Sequence, residues 1–225
     1  MRPRLLDLFC GAGGAAMGYH RAGFDVVGVD IVPQPRYPFP FVEGDALNPP
    51  VDVTAFDAIH ASPPCQGYSN LRRKIEHPRL IAPVREMLID SGRSYVIENI
   101  EDARRELRNP VRMCGSTFDL NIRRHRWFEC SFPVMVPPCQ HDGREIRAYY
   151  GKKGWLAWTP AAAVQSRGRK PILRGKVEQA PEDMGIDWMT WDELREAIPP
   201  AYTEFIGTQL LEVMPFSDAR IGARS

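Results

Sequence analysis

Long apolar runs are missing from these 225 residues. Without about 18 consecutive apolar side chains, no bilayer-spanning helix is expected. Met1-Arg2-Pro3-Arg4 leads straight into a strand-like run, so no signal peptide is expected either. Cysteine is scarce: there are five, an odd number, widely spaced and without a Cys-x-x-Cys pair. That excludes a disulfide framework and points to a reduced, cytoplasmic or nucleoid-associated setting. An excess of one charge is also missing, because the net charge is +1. Its distribution is more telling. Residues 137–176 carry nine Lys or Arg against two acids, and residues 178–196 carry seven acids against Arg195 alone. A basic segment is therefore followed by an acidic one. With 25% charged and 44% hydrophobic residues, the rest is ordinary globular material, long enough for a real core.

Arg4-Leu5-Leu6-Asp7-Leu8-Phe9 reads as a short buried strand, followed by the turn Cys10-Gly11-Ala12-Gly13-Gly14 and a helix to about residue 22. Three glycines in four positions let the backbone approach a ligand, and the helix N-terminus offers free amides. No Gly-Lys-Ser/Thr follows, so this is not a phosphate-binding P-loop. A second strand, Asp25-Val26-Val27-Gly28-Val29-Asp30, ends in an acid about 20 residues after the glycines, where nucleotide-binding folds hold a ribose. A ligand-free turn with a capping Asp is the plainer alternative. Phe41-Val42-Glu43-Gly44-Asp45 resembles a third strand, and strand-turn-helix units at this pace predict an α/β fold with a mostly parallel sheet and helices on both faces.

Phe56-Asp57-Ala58-Ile59-His60-Ala61 predicts a strand that must stop at Pro63-Pro64, since neither proline donates an amide and both fix φ. Cys65 then sits on a stiff loop at the sheet edge where ligands bind. It is either a nucleophile, if its neighbours favour the thiolate, or a small buried thiol. A helical pattern over residues 78–91 comes after it, with Leu80, Val84, Met87 and Leu88 on one side. Next comes the strand Tyr95-Val96-Ile97-Glu98-Asn99-Ile100. Glu98 either caps the helix after this strand or is a carboxyl whose pKa burial raises. In Arg123-Arg124-His125-Arg126-Trp127, alternation places Arg124 and Arg126 on one face of a strand, facing an anion or forming a solvated basic edge.

The order of Asp7-Leu8-Phe9-Cys10-Gly11-Ala12-Gly13-Gly14, Pro63-Pro64-Cys65-Gln66, Glu98-Asn99-Ile100 and Arg124-His125-Arg126 resembles the cytosine-C5 DNA methyltransferase family over roughly residues 4–130. The resemblance implies a Rossmann-like fold that binds S-adenosyl-L-methionine and releases S-adenosyl-L-homocysteine. It also implies duplex DNA from which one cytosine is flipped, as chemistry on a stacked base requires. Carried over, Phe9 packs on the adenine, Gly11 and Gly13 approach the methionine part, Asp30 holds the ribose, Asp45 binds the adenine amine, and Leu80 lines the cofactor pocket. Cys65 matches the nucleophile, Glu98 the carboxyl at cytosine N3, and Arg124 and Arg126 the arginine pair near the base. Pro64, Gln66, Ser69 and Asn99 are the substrate-binding positions.

The chain divides into three regions: residues 1–132 as the cofactor and catalytic domain, 133–180 as a short basic and aromatic target-recognition segment, and 181–225 packing back on the first. The recognition segment holds Tyr149, Tyr150, Trp155 and Trp158 among its cations, a mixture that stacks on bases and meets phosphates. It is much shorter than in the family. A protein partner supplying specificity, or RNA, a free pyrimidine nucleotide or a modified pyrimidine as substrate, is therefore kept in view. So is a non-catalytic module of the same fold. The expected state is a monomer away from membranes. In the closing segment Thr208 follows Gly207 where the family usually has Asn, and its hydroxyl is the expected cofactor contact. Cys114, Cys130, Cys139 and His141 are spaced by 16, 9 and 2 residues. That spacing contains no compact ligand pair, so no metal site is assigned.

Overall fold

A computed structural model describes residues 1–69, 77–139, 141 and 178–214, and the backbone of 147–148, 173–174 and 177. Seven strands form one sheet in the order β3-β2-β1-β4-β5-β7-β6. They are β1 (Arg4–Leu8), β2 (Asp25–Asp30), β3 (Phe41–Glu43), β4 (Ala58–Ala61), β5 (Ser94–Asn99), β6 (Val111–Met113) and β7 (Arg126–Cys130). The first five run parallel, and β7 is antiparallel to both β5 and β6. This is the mostly parallel α/β arrangement that the alternating strand and helix signals predict, and the Rossmann-like one that the family resemblance implies. Strand order reverses at β1, which opens a crevice between the carboxyl ends of β1 and β4.

The central strands are apolar on both faces because both faces are covered. Leu5, Val26, Ala58 and Val96 pack under α1 (Gly14–Ala22) and the closing helix Pro200–Val213. Leu6, Leu8, Ile59 and Ile97 pack on the other face against α2 (Ile81–Asp90), through Ile81, Val84 and Leu88. The two helices on the first face touch closely. A side-chain carbon at Gly18 would lie 2.1 Å from both the Pro200 carbonyl oxygen and Thr203 Oγ1. On α2, Arg85 forms a buried two-bond ion pair with Glu129 of β7 at 2.7 and 2.6 Å. Glu129 also accepts the Arg108 amide at 2.7 Å. This node locks α2 to the antiparallel end of the sheet.

Two boundaries differ from expectation. The arginine strand begins only at Arg126, because pairing with β5 starts at Asn99↔Trp127. The third strand stops at Glu43, its last ladder bond running from the Gly44 amide to the Asp30 carbonyl at 2.9 Å. Most of the expected recognition segment, including Tyr149, Tyr150, Trp155 and Trp158, lies outside the described residues. Among the described residues no helix is long and apolar enough to cross a membrane.

Candidate active site

The register brings the motif residues together. Leu8 pairs with Val29 and Ala61, and Ala61 with Ile97. One residue further along each strand therefore stands a row of Asp30, Phe9, Ser62 and Glu98 at the carboxyl edge. The cysteine loop leaves β4 immediately after this row. The Ser62 amide donates to the Leu8 carbonyl at 3.1 Å, and Asn99 Nδ2 donates to the Pro63 carbonyl at 2.8 Å, so β1 and β5 both hold the loop. Cys65 opens a short 3-10 turn, Cys65–Gly67, whose carbonyl accepts the Tyr68 and Ser69 amides. A side chain at Gly67 would collide with the Pro78 carbonyl oxygen at 2.6 Å. Glycine thus allows the loop to fold down beside the start of α2. Pro64 is exposed, Gln66 and Ser69 are half-buried, and Gln66 Oε1 is buried with no partner among the described residues.

Cys65, Glu98 and Arg126 share one electrostatic environment. Burial pushes the Cys65 thiol above its ordinary pKa, while Arg126 pulls it down and Glu98 pushes it up again. Burial likewise raises the Glu98 carboxyl, against Arg126, Arg124 and a hydrogen bond from Ser62. Arg126 Nε lies 2.9 Å from Glu98 Oε1, close enough for an ion pair but not aligned as a hydrogen bond. Arg124 is buried, donating from Nη2 to the Arg195 carbonyl at 2.7 Å, and its own carbonyl accepts the Tyr202 hydroxyl at 2.6 Å. The thiol, the carboxyl and the arginine pair are therefore assembled by β4, β5 and β7.

Behind Glu98 runs a buried polar chain that the motifs did not disclose. Tyr19 Oη lies 3.0 Å from His60 Nδ1, and His60 Nε2 lies 2.8 Å from Ser62 Oγ. Burial holds His60 neutral, with its pKa near 3. Since Ser62 donates to Glu98, the neutral ring must donate from Nε2 to Ser62 and accept at Nδ1 from Tyr19. The signal in the sequence was a histidine inside an otherwise apolar strand.

On the cofactor side, Gly11 has φ 49° and nothing within 4 Å of where a side chain would stand, so its side of the turn is open. Gly13, at φ 87°, is filled in: a side-chain carbon there would lie 2.8 Å from Pro38 Cδ. Phe9 also adopts a left-handed φ of 56°, a costly conformation for a bulky residue. Asp30 uses both oxygens on the backbone, accepting the Gly11 amide at 3.0 Å and the Val32 amide at 3.1 Å. Asp45 is exposed and accepts the Leu47 amide at 2.9 Å, which turns its carboxylate back over its own loop. Leu80 is half-buried at the start of α2 and packs with the second core.

Thr208 is not brought to the glycine turn. It is exposed, and its hydroxyl donates to the Glu204 carbonyl of its own helix at 2.9 Å. Gly207, its neighbour, packs against Ala22 at the far end of α1. The part of the closing segment that does meet the turn is earlier, where the Ile198 carbonyl lies 2.5 Å from a side-chain position at Gly14. Trp188 Nε1 also donates to the Ala12 carbonyl at 2.8 Å. A cleft of about 460 Å3 lies toward the β6–β7 end of the sheet, lined by Glu101, Arg104, Arg112, Trp127 and Cys139.

This strand order, with a glycine turn after β1 and an acid ending β2, defines a Rossmann-like methyltransferase fold. The particular proteins it resembles are all distant. The chain is 27% identical over 166 residues to the Type II methyltransferase M.XorII of Xanthomonas oryzae pv. oryzae, a match covering 66% of this chain and 35% of that protein. It therefore spans about a third of the length of that curated relative. A protein from an E. coli prophage, described as a DNA modification methyltransferase, superposes with a TM-score of 0.60 at 15% identity, covering 93% of this chain and 99% of that one. The S. pombe Dnmt2 methyltransferase superposes at 0.56 with 14% identity, covering 96% and 100%. No family model matches the chain. The resemblance to the cytosine-C5 methyltransferases carried by the motifs is thus joined by a distant relative in sequence and by the fold.

Proposed function

We propose that this chain methylates C5 of cytosine in DNA, through a covalent bond between Cys65 and C6 of a flipped-out base. The observation that carries the reading is the shared environment of Cys65, Glu98 and Arg126 at the carboxyl edge of the sheet, beside an open glycine turn. We assign residues 1–132 to cofactor and catalysis, 133–180 to target contact and 181–225 to packing back on the first.

Cytosine C5 is a weak nucleophile until the aromatic ring is broken. Attack by the Cys65 thiolate on C6 forms the S–C6 bond and pushes electron density toward C5 and N3. Glu98, whose pKa burial raises, gives a proton at N3 and so prevents a full negative charge on the ring. Arg126 favours the thiolate before attack. Arg124, held by the Arg195 carbonyl, braces the same corner. Ser62 orients Glu98, with His60 and Tyr19 behind it. Phe9, Gly11 and Asp30 would hold S-adenosylmethionine, which when bound would supply an electrophilic methyl group for C5. Loss of the C5 proton to solvent water then restores the double bond, breaks S–C6 and returns Cys65 as thiolate and the N3 proton to Glu98.

Asp45 and Leu80 remain proposed margins of the cofactor pocket, and Pro64, Gln66, Ser69 and Asn99 are proposed to shape the base site. The test is methyl transfer from labelled S-adenosylmethionine to duplex DNA, single-stranded DNA, RNA and dCMP. Duplex DNA is expected to be labelled fastest, at C5. A preference for RNA or dCMP would keep the chemistry and replace the substrate. Undiminished transfer by Cys65→Ala would exclude the mechanism.

A further inference from the structure

We propose that Cys114, His125, Cys139 and His141 form a structural zinc site that fixes the root of the basic segment to the arginine pair. Their four ligand atoms all lie within 4.8 Å of one another. Cys114 Sγ is 3.3 Å from His141 Nε2, and Cys139 Sγ is 3.7 Å from His125 Nε2. A tetrahedral zinc ion with Zn–S near 2.3 Å and Zn–N near 2.0–2.1 Å separates its ligand atoms by about 3.3–3.8 Å. The two cross-pairs thus stand at tetrahedral edge lengths. The donors also balance the ion, since two thiolates and two neutral imidazoles neutralise a divalent cation. Four protein ligands leave no open position, as in structural rather than catalytic zinc sites.

The fold explains how ligands so scattered in sequence converge. Met113 of β6 pairs with Arg126 of β7 in antiparallel register. The next residues, Cys114 leaving β6 and His125 entering β7, therefore stand opposite each other. After β7 the chain comes back past this corner and adds Cys139 and His141, whose ring stacks on His125 at 5.4 Å between centroids. Ser116 Oγ donates to Cys114 Sγ at 3.4 Å, supporting the first thiolate from behind. Cys130 is not part of the cluster, being packed on β7 with the first core.

Position gives the site its purpose. His125 lies between Arg124 and Arg126, and His141 lies inside the basic segment, three residues before its first cation, Arg144. The ion would tie the backbone of the arginine pair to the start of the segment proposed to meet nucleic acid. The site itself uses no atom of the methyl-transfer chemistry, so it stands or falls separately.

The test is metal content by mass spectrometry on the full chain, purified without chelator under reducing conditions. About one zinc per chain is expected, with Cys139→Ser and His141→Ala each losing most of it and Cys130→Ser keeping it. Metal-stripped wild-type protein titrated with Co2+ should develop the intense visible absorption of a tetrahedral thiolate site, displaced by one equivalent of Zn2+. That arm needs no variant to fold. Wild-type protein with background zinc and no such cobalt spectrum, or with Cys114 and Cys139 joined in a disulfide, would overturn the proposal.

Discussion

Cys65 is held in a conflict of fields, and the conflict is measurable. Its pKa is raised chiefly by burial, lowered by Arg126 and raised by Glu98. The thiol should therefore react only as pH rises through the alkaline side of neutrality, because the thiolate is the reactive species. Removing the cation in Arg126→Ala should move the pH profile of Cys65 alkylation, read peptide by peptide, further up. Removing the anion in Glu98→Gln should move it down. Shifts of the same sign in both variants would contradict the shared environment. Glu98→Gln should also slow methyl transfer about 10²–10⁴-fold, the usual contribution of a positioned acid.

Asp7 poses the complementary problem in the core beneath the site. It is fully buried, takes a 3.4 Å hydrogen bond from the Tyr37 hydroxyl, and leaves Oδ1 without a partner among the described residues. Burial raises its pKa from 3.8 to about 8, with Asp30 adding to the rise and Tyr37 opposing it. The folded chain therefore keeps a proton that the unfolded chain releases near pH 4, and this contribution to stability is lost as pH rises from about 4 to about 8. His60 slopes the opposite way below pH 6.5, because its pKa falls to about 3 on folding. From pH 6.5 to 8 the His60 contribution is already complete while the Asp7 fall continues. There Asp7→Asn should flatten the fall of Tm with pH and raise Tm at pH 8. An unchanged slope would show that Asp7 ionises normally.

Between elements, the tightest contact is the crossing of α1 and the closing helix at Gly18. Gly18→Ala puts a methyl group into the Pro200 carbonyl and Thr203 Oγ1, which already donates to the Ala15 carbonyl at 2.8 Å. Overpacking of this kind costs about 1–3 kcal/mol. A matching loss in denaturant midpoint is expected, and no loss would mean that the helices can slide apart. Parallel strands were legible in the sequence, since apolar runs close on their own stop signals: Asp30 ends β2, and Pro63-Pro64 follow the end of β4 at Ala61. The end strand β6 was not, being only three residues long. Nor were contacts made by backbone: the closing segment reaches the glycine turn through the Ile198 carbonyl, a contact no side-chain pattern encodes, whereas Thr208, the expected cofactor contact, hydrogen-bonds within its own helix. The buried Arg85–Glu129 pair and the His60 chain were hidden for a related reason, because each joins residues more than 40 positions apart or one residue of unusual type in an apolar run.

Over the whole molecule, near-neutral net charge conceals a division of labour. The described core carries the thiol, carboxyl and glycine turn, and in the proposed reading the cations of residues 137–176 supply the charge that a phosphate backbone would meet. The claim that unites these parts is a sulfur–carbon bond to an extruded base. DNA containing 5-fluorocytosine tests it most directly, since fluorine at C5 cannot leave as a proton and elimination of Cys65 is blocked. In the presence of S-adenosylmethionine, wild-type protein should form a DNA adduct that survives a denaturing gel and maps to Cys65, and Cys65→Ala should form none. Methyl transfer to ordinary cytosine DNA without any trapped adduct, or an adduct that persists in Cys65→Ala, would contradict it.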